Sequence, residues 1–112
     1  MSLGLYPQGA NARPTAHEAA GRRLAAEVRA RNAAGAADET NGRIVLLSIG
    51  LSNTTQEFSA FMQLANSDRE KNPRVTLVDG AQGGWSADRL VAGDAPYWAT
   101  VSDRLRDRKS VV

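Results

Sequence analysis

Cysteine is absent from the 112 residues. Disulfides and thiolate metal sites are thereby excluded, and the redox compartment stays open. There is one histidine, His17, and a lone histidine makes no metal site. Charge of one sign is also missing. Lys and Arg number 14 against 12 Asp and Glu, the net charge is +2, and the two signs are interleaved. With no long basic block and no basic residues alternating with aromatics, composition gives no argument for a nucleic-acid partner. The longest apolar run is far too short to cross a membrane, so no membrane partner is expected. Met1 to Tyr6 lead into Pro7 without a basic start or an apolar core, and no signal peptide is expected there. What is left is ordinary for a soluble globular chain, with 42% apolar and 23% charged residues. The length suits one small domain and not two.

Along the chain, residues 1–14 carry Gly4, Pro7, Gly9, Asn11 and Pro14 and read as a loop-like arm. Thr15 and Glu18 have capping-box spacing. A helix is expected from there to about Asn32, with Ala20, Leu24 and Val28 on one face. Residues 33–42 form a small, polar connector. Residues 43–49 are nearly all apolar and read as a strand buried on both faces, as in a parallel sheet. Thr54 and Glu57 offer a second capping box, and Phe58, Phe61, Met62 and Ala65 follow at helical spacing. A charged loop, 66–73, leads to a second strand, 74–79, and then to a glycine-rich turn, 80–84. A short helix after Ser86 and a last helix opened by Asp94, Ala95 and Pro96 complete the order, the latter with Trp98, Val101 and Leu105 on one face. Strands alternating with helices imply an α/β fold with a parallel sheet. Two strands do not make an independent sheet, so the chain reads as the N-terminal part of a larger α/β domain.

Ser52 is the most informative position. It stands where the apolar run 44–49 meets Gly50 and a helix begins. A serine there directs its hydroxyl out of the C-terminal edge of the sheet, beside the free N–H groups of a helix start, where developing negative charge is favoured. Ligands of open α/β sheets bind beyond the C-terminal strand ends, and the 80–84 turn is expected on the same rim.

A strand ending in Gly-x-Ser, followed by a strand ending in a glycine-rich turn, resembles the SGNH (GDSL-like) hydrolase superfamily. Gly50-Leu-Ser-Asn53 is similar to its first block, in the Gly-Gln-Ser-Asn form of the sialate O-acetylesterase-like branch. Gly80-Ala-Gln-Gly-Gly-Trp-Ser86 is similar to its second. The stretch from residue 6 to residue 106 is also similar to the start of longer bacterial proteins of this type. The resemblance implies a three-layer α/β/α, flavodoxin-like hydrolase domain, of which this chain is a truncated N-terminal part. It implies an ester substrate, a small molecule or a carbohydrate O-acetyl group, cleaved through an acyl-enzyme without metal or organic cofactor. Ser52 would be the nucleophile, and its own N–H and that of Gly83 would hold the oxyanion. Asn53, Gly84 and Asp79 would line the substrate side. The family places its base in an Asp-x-x-His block late in the domain and a third oxyanion donor, an asparagine, in a middle block. Neither block occurs here, so the chain as given is expected to be catalytically incomplete. Leu51 also departs from the Asp or Gln usual at its position. Nor is the turn the Gly-x-Ser-x-Gly elbow of α/β-hydrolases, because Thr54 stands where the second glycine would be.

Plainer readings stand beside these. Ser52 is a preferred N-cap type, Gly83 and Gly84 are common turn residues, Asn53 could bond the turn, and Asp79 could cap a strand end. Ser48 is structural, Gln56 and Glu57 are helix-start residues, and His17 is a solvated first-turn residue. Trp85 either stacks on a sugar or packs on the helix after it. In function, the alternative to an esterase is a non-catalytic α/β module holding a sugar or anion at the glycine turn. Residues 107–112 match what one frame of a common sequencing adapter encodes before a stop codon. They are expected to be read-through following a single domain of residues 1–106.

Overall fold

The computed structural model describes residues 3–109. It is an α/β fold whose sheet has two parallel strands, β1 (Ile44–Ser48) and β2 (Val75–Asp79). Ile44 pairs with Val75 and Ser48 with Asp79, so the two strands end level. The helices are α1 (Thr15–Ala26), α2 (Ser52–Ser67), α3 (Ala87–Leu90) and α4 (Pro96–Lys109). α2 is the crossover between the strands and packs on both, while α4 packs on β2. Among the described residues, no helix is long and apolar enough to cross a membrane.

The buried apolar residues are few: Ala30, Leu77, Val78, Ala81, Tyr97 and Val101. Apart from Ala30, in the loop after α1, they lie in β2, just after it and on the inner face of α4. β1 departs from expectation. Its sequence suits a strand covered on both faces, yet Val45 is 38% and Leu46 47% exposed. These successive residues face opposite sides of the pleat, so cover is incomplete on both faces. Beyond a bridge from Arg43 to Arg31, the outer edge of β1 has no strand partner among the described residues.

α1 is shorter than its periodicity suggests, ending at Ala26 and not near Asn32. The reason lies in the loop after it. Arg31 exchanges two backbone hydrogen bonds with Arg43, at 3.0 and 2.9 Å, and Ala30 C=O accepts from Asp38 N–H at 2.8 Å. These pairings remove residues 30–31 from a helical path, a tertiary override of local propensity. Neither capping box forms. The N-cap of α1 is Pro14 and Thr15 is already helical; Glu18 instead pairs with Arg13 and Arg22. The N-cap of α2 is Leu51, which leaves Thr54 inside the first turn. The arm is more ordered than a plain loop, with a 3-10 turn at Pro7–Gly9 closed by a Tyr6–Ala10 bridge. α4 runs past residue 106 to Lys109, through the first half of the expected read-through segment. Residues 110–112, the rest of that segment, lie outside the described residues.

Candidate functional site

The level strand ends throw two loops over one rim. The first, Ile49 to Leu51, feeds α2; the second, Gly80 to Ser86, feeds α3. They are tied together through the backbone. Gly80 N–H donates to Ser48 C=O at 3.1 Å, and Gln82 N–H to Gly50 C=O at 3.1 Å. A fully buried tyrosine completes the tie: Tyr97 Oη accepts from Gly50 N–H at 3.1 Å and donates to Gly50 C=O at 3.1 Å. Gln82 Nε2 donates to Tyr97 C=O at 3.0 Å and to Gly80 C=O at 3.3 Å. From α4, Arg104 donates to Asp79 C=O at 2.9 Å and to Ala81 C=O at 3.1 Å. No buried side-chain nitrogen or oxygen among the described residues lacks a partner. The loops are thus fixed by a closed polar set in which each donor has an acceptor.

Two of the loop glycines are demanded by close approach. A Cβ on Gly50 would fall 2.3 Å from Thr54 Oγ1 and 2.7 Å from Thr54 Cβ, and one on Gly80 would fall 2.6 Å from the Ser48 carbonyl oxygen. Gly84 has φ of 79° and needs glycine for conformational reasons; its C=O accepts from Arg89 at 3.1 Å. Gly83 is different. It does not adopt the left-handed conformation, and an added Cβ would meet only Ser52 Cβ, at 3.7 Å. Nothing in the fold requires glycine there.

Ser52 is exposed and is the first residue of α2, not its N-cap. Its hydroxyl makes no hydrogen bond among the described residues, so the capping explanation for it does not hold. The N–H groups of the first helical turn lack intrahelical acceptors by geometry, and they lie beside that hydroxyl. The structure therefore brings Ser52 and Gly83 together. Asn53 is exposed on the same first turn, with its side chain unbonded among the described residues. Asp79 lies beneath, and its carboxylate is occupied. Oδ1 accepts from Ser48 Oγ at 2.6 Å and from Ala81 N–H at 3.0 Å, and Oδ2 accepts from Thr55 Oγ1. Ser48 is buried and structural, as its place inside the strand suggests.

Trp85, next after the glycines, meets the edge of Tyr97 with ring centroids 5.7 Å apart, and Arg89 covers its ring at 4.4 Å. That is packing against the following helix. His17 is exposed on α1 against the Tyr6 ring, 5.9 Å between centroids, and is not brought to Ser52. No carboxylate or imidazole bonds the Ser52 hydroxyl, and no cluster of three or more metal-ligating side chains exists among the described residues. Two clefts are present elsewhere. One, of about 530 Å³, lies between the arm and α1 at Leu5, Tyr6, Asn11, Arg13 and Glu18; the other, of about 320 Å³, is lined by Val78, Asp79, Arg104 and Asp107. Neither includes Ser52 or Gly83.

Tyr97, Gln82, Thr55 and Arg104 are the site-building residues that sequence reading misses. The periodicity of α4 had pointed to Trp98, Val101 and Leu105, but the face turned inward carries Tyr97, Val101 and Arg104. The two registers share Val101, and the spacing of 97, 101 and 104 is the signal that could have found it. No protein-family model matches the chain, nor does any curated protein or solved structure.

Proposed function

We propose that this chain carries the nucleophile and oxyanion half of an SGNH-like serine esterase, as the N-terminal part of a three-layer, flavodoxin-like domain. Ser52 Oγ attacks the carbonyl carbon of an ester and passes its proton to a base. The carbonyl oxygen becomes the oxyanion and accepts from the N–H groups of Ser52 and Gly83. The C–O bond to the alcohol then breaks, the alcohol leaves with a proton, and water releases the acyl group from Ser52. A carbohydrate O-acetyl group is the substrate class to which the resemblance points. Serine is a weak nucleophile without an adjacent base, so that base must come from outside the described residues.

The observation that carries this reading is a serine at a helix start, its hydroxyl unbonded among the described residues, beside a glycine for which the fold has no need. A bare amide suits an oxyanion donor, since substrate must reach the N–H without meeting a side chain. One such donor is worth about 3–4 kcal/mol of barrier. The three-layer architecture is supported by β2, on which both α2 and α4 pack. Its successive residues Leu77 and Val78 are both buried, and alternation along the strand sends such neighbours to opposite faces.

The absence of a base beside Ser52 among the described residues favours a second reading, a module that holds a sugar or anion at the rim without chemistry. A serine-directed fluorophosphonate, with imidazole supplied as external base, separates the two. Phosphonylation of the protein is expected, and Ser52→Ala, which deletes the attacking oxygen, is expected not to react. Labelling that survives the substitution removes Ser52 from the chemistry and leaves the binding module.

A further inference from the structure

We infer that Asp79 is a positioning residue that fixes Ser52 against Gly83, an inference resting on the nucleophile reading above. Its carboxylate joins the three segments that build the rim. Ser48 Oγ, at the end of β1, donates to Oδ1 at 2.6 Å, and Ala81 N–H, two residues before Gly83, donates to the same oxygen at 3.0 Å. Thr55 Oγ1, three residues after Ser52 in the first turn of α2, donates to Oδ2. The nucleophile's helix and the oxyanion's turn are thereby bonded to the two oxygens of one rigid, planar group. The strand end that carries the group is itself held by Arg104 through the Asp79 and Ala81 carbonyls.

α2 needs such a tether. None of its residues is fully buried, and its N-cap makes no side-chain hydrogen bond. A helix packed so shallowly can slide or rotate on the sheet, and the apolar contacts beneath it change little when it does. A directional bond from its first turn to the strand end removes that freedom where it matters, beside Ser52. Asp79, with three donors on it, has both carboxylate oxygens committed to these bonds.

The test uses Thr55→Val, which keeps the shape of the side chain and deletes the donor, with Thr55→Ser as the conservative rescue. Fluorophosphonate labelling with imidazole is followed at Ser52 and, in the same chain, at exposed Ser102 of α4 as internal reference. Amide chemical shifts of Ser52 and Gly83 are recorded alongside. Thr55→Val is expected to slow labelling at Ser52 by about tenfold, within what a displacement of about 1 Å costs, with Ser102 unchanged and both amides shifted. Thr55→Ser is expected to restore rate and shifts. If Thr55→Val labels Ser52 at the parental rate, or if Ser52 slows only in step with Ser102, Asp79 holds the fold and not the site. If the unsubstituted protein shows no preference for Ser52 over Ser102, the nucleophile reading fails and the positioning role falls with it.

Discussion

An added methyl at Gly83 would touch Ser52 Cβ at an ordinary contact distance of 3.7 Å, whereas one at Gly80 would be driven into the Ser48 carbonyl at 2.6 Å and Leu47 Cδ1 at 2.9 Å. The two substitutions are therefore expected to separate function from stability. Gly83→Ala should leave the melting temperature unchanged or slightly raised, because alanine restricts the unfolded chain by about 0.4–1 kcal/mol. It should slow labelling at Ser52 about tenfold by crowding the approach to the oxyanion amide, which is worth a larger factor when lost outright. Gly80→Ala should cost about 1–3 kcal/mol as an overpacked position, measured by chemical denaturation. Equal damage from both would mean that Gly83 is a turn residue and nothing more. The arm offers a residue-scale test of electrostatics. A hydrogen bond from Arg13 holds the Glu18 carboxyl below the ordinary glutamate value against the opposing effect of desolvation, helped by the Arg13 charge and by Arg22. A carboxyl depressed in the folded state stabilises above its unfolded value and stops doing so as pH falls through the folded one. The contact between arm and α1 should hold at neutral pH and loosen in acid, and an NMR titration should show Glu18 protonating below free glutamate. Arg13→Ala should move that titration upward; an unchanged titration would place the cause elsewhere.

Between elements, the Tyr97 hydroxyl serves both backbone groups of Gly50 from inside the molecule. Tyr97→Phe keeps the ring and its edge contacts with Trp85 and Trp98 but strands the Gly50 N–H, while the Gly50 C=O keeps the Gln82 N–H. A loss of about 2 kcal/mol is expected, since an unsatisfied buried group costs about 1–3 kcal/mol, with exchange of the Gly50 amide accelerated beyond that of the β2 amides. Uniform acceleration would show that the hydroxyl supports the whole fold and not the loop. The parallel pairing of β1 and β2, the crossover by α2 and the breaks at Gly50 and Gly80 were legible in the sequence, because apolar runs and glycines act locally. So was the meeting of Ser52 with the 80–84 turn, which follows once two parallel strands end level. Helix ends were not legible where distant backbone competes: residues 30–31 satisfy their hydrogen bonds with residues 37, 38 and 43. The capping boxes failed because their spacing says nothing of where the first helical residue falls. The inward face of α4 was missed because Trp98 outweighs Tyr97 in apolar character, while Tyr97 has the hydroxyl that the loop requires.

For the whole molecule, accessible surface is 8483 Å², against about 6,000 Å² for a compact monomer of this mass. The radius of gyration is 17.2 Å, against about 13 Å for a compact chain of this length. The excess is partly apolar: Val45, Leu46, Ile49, Phe61 and Leu64 are all exposed, and a two-stranded sheet is marginal without further cover. The 112-residue chain should therefore bind a hydrophobic dye in its native state and unfold broadly at a low midpoint. A sharp transition at high temperature without dye binding would mean that the small core around β2 and α4 suffices. The reading of the rim depends on one arrangement, a reactive oxygen and a bare amide converging from two loops. A crystal structure of the fluorophosphonate-treated protein tests it most directly. The predicted result is phosphorus on Ser52 Oγ, with its non-bridging oxygen about 2.7–3.1 Å from the N–H groups of Gly83 and Ser52; phosphorus on another side chain, or an oxygen turned away from Gly83 into solvent, would contradict it.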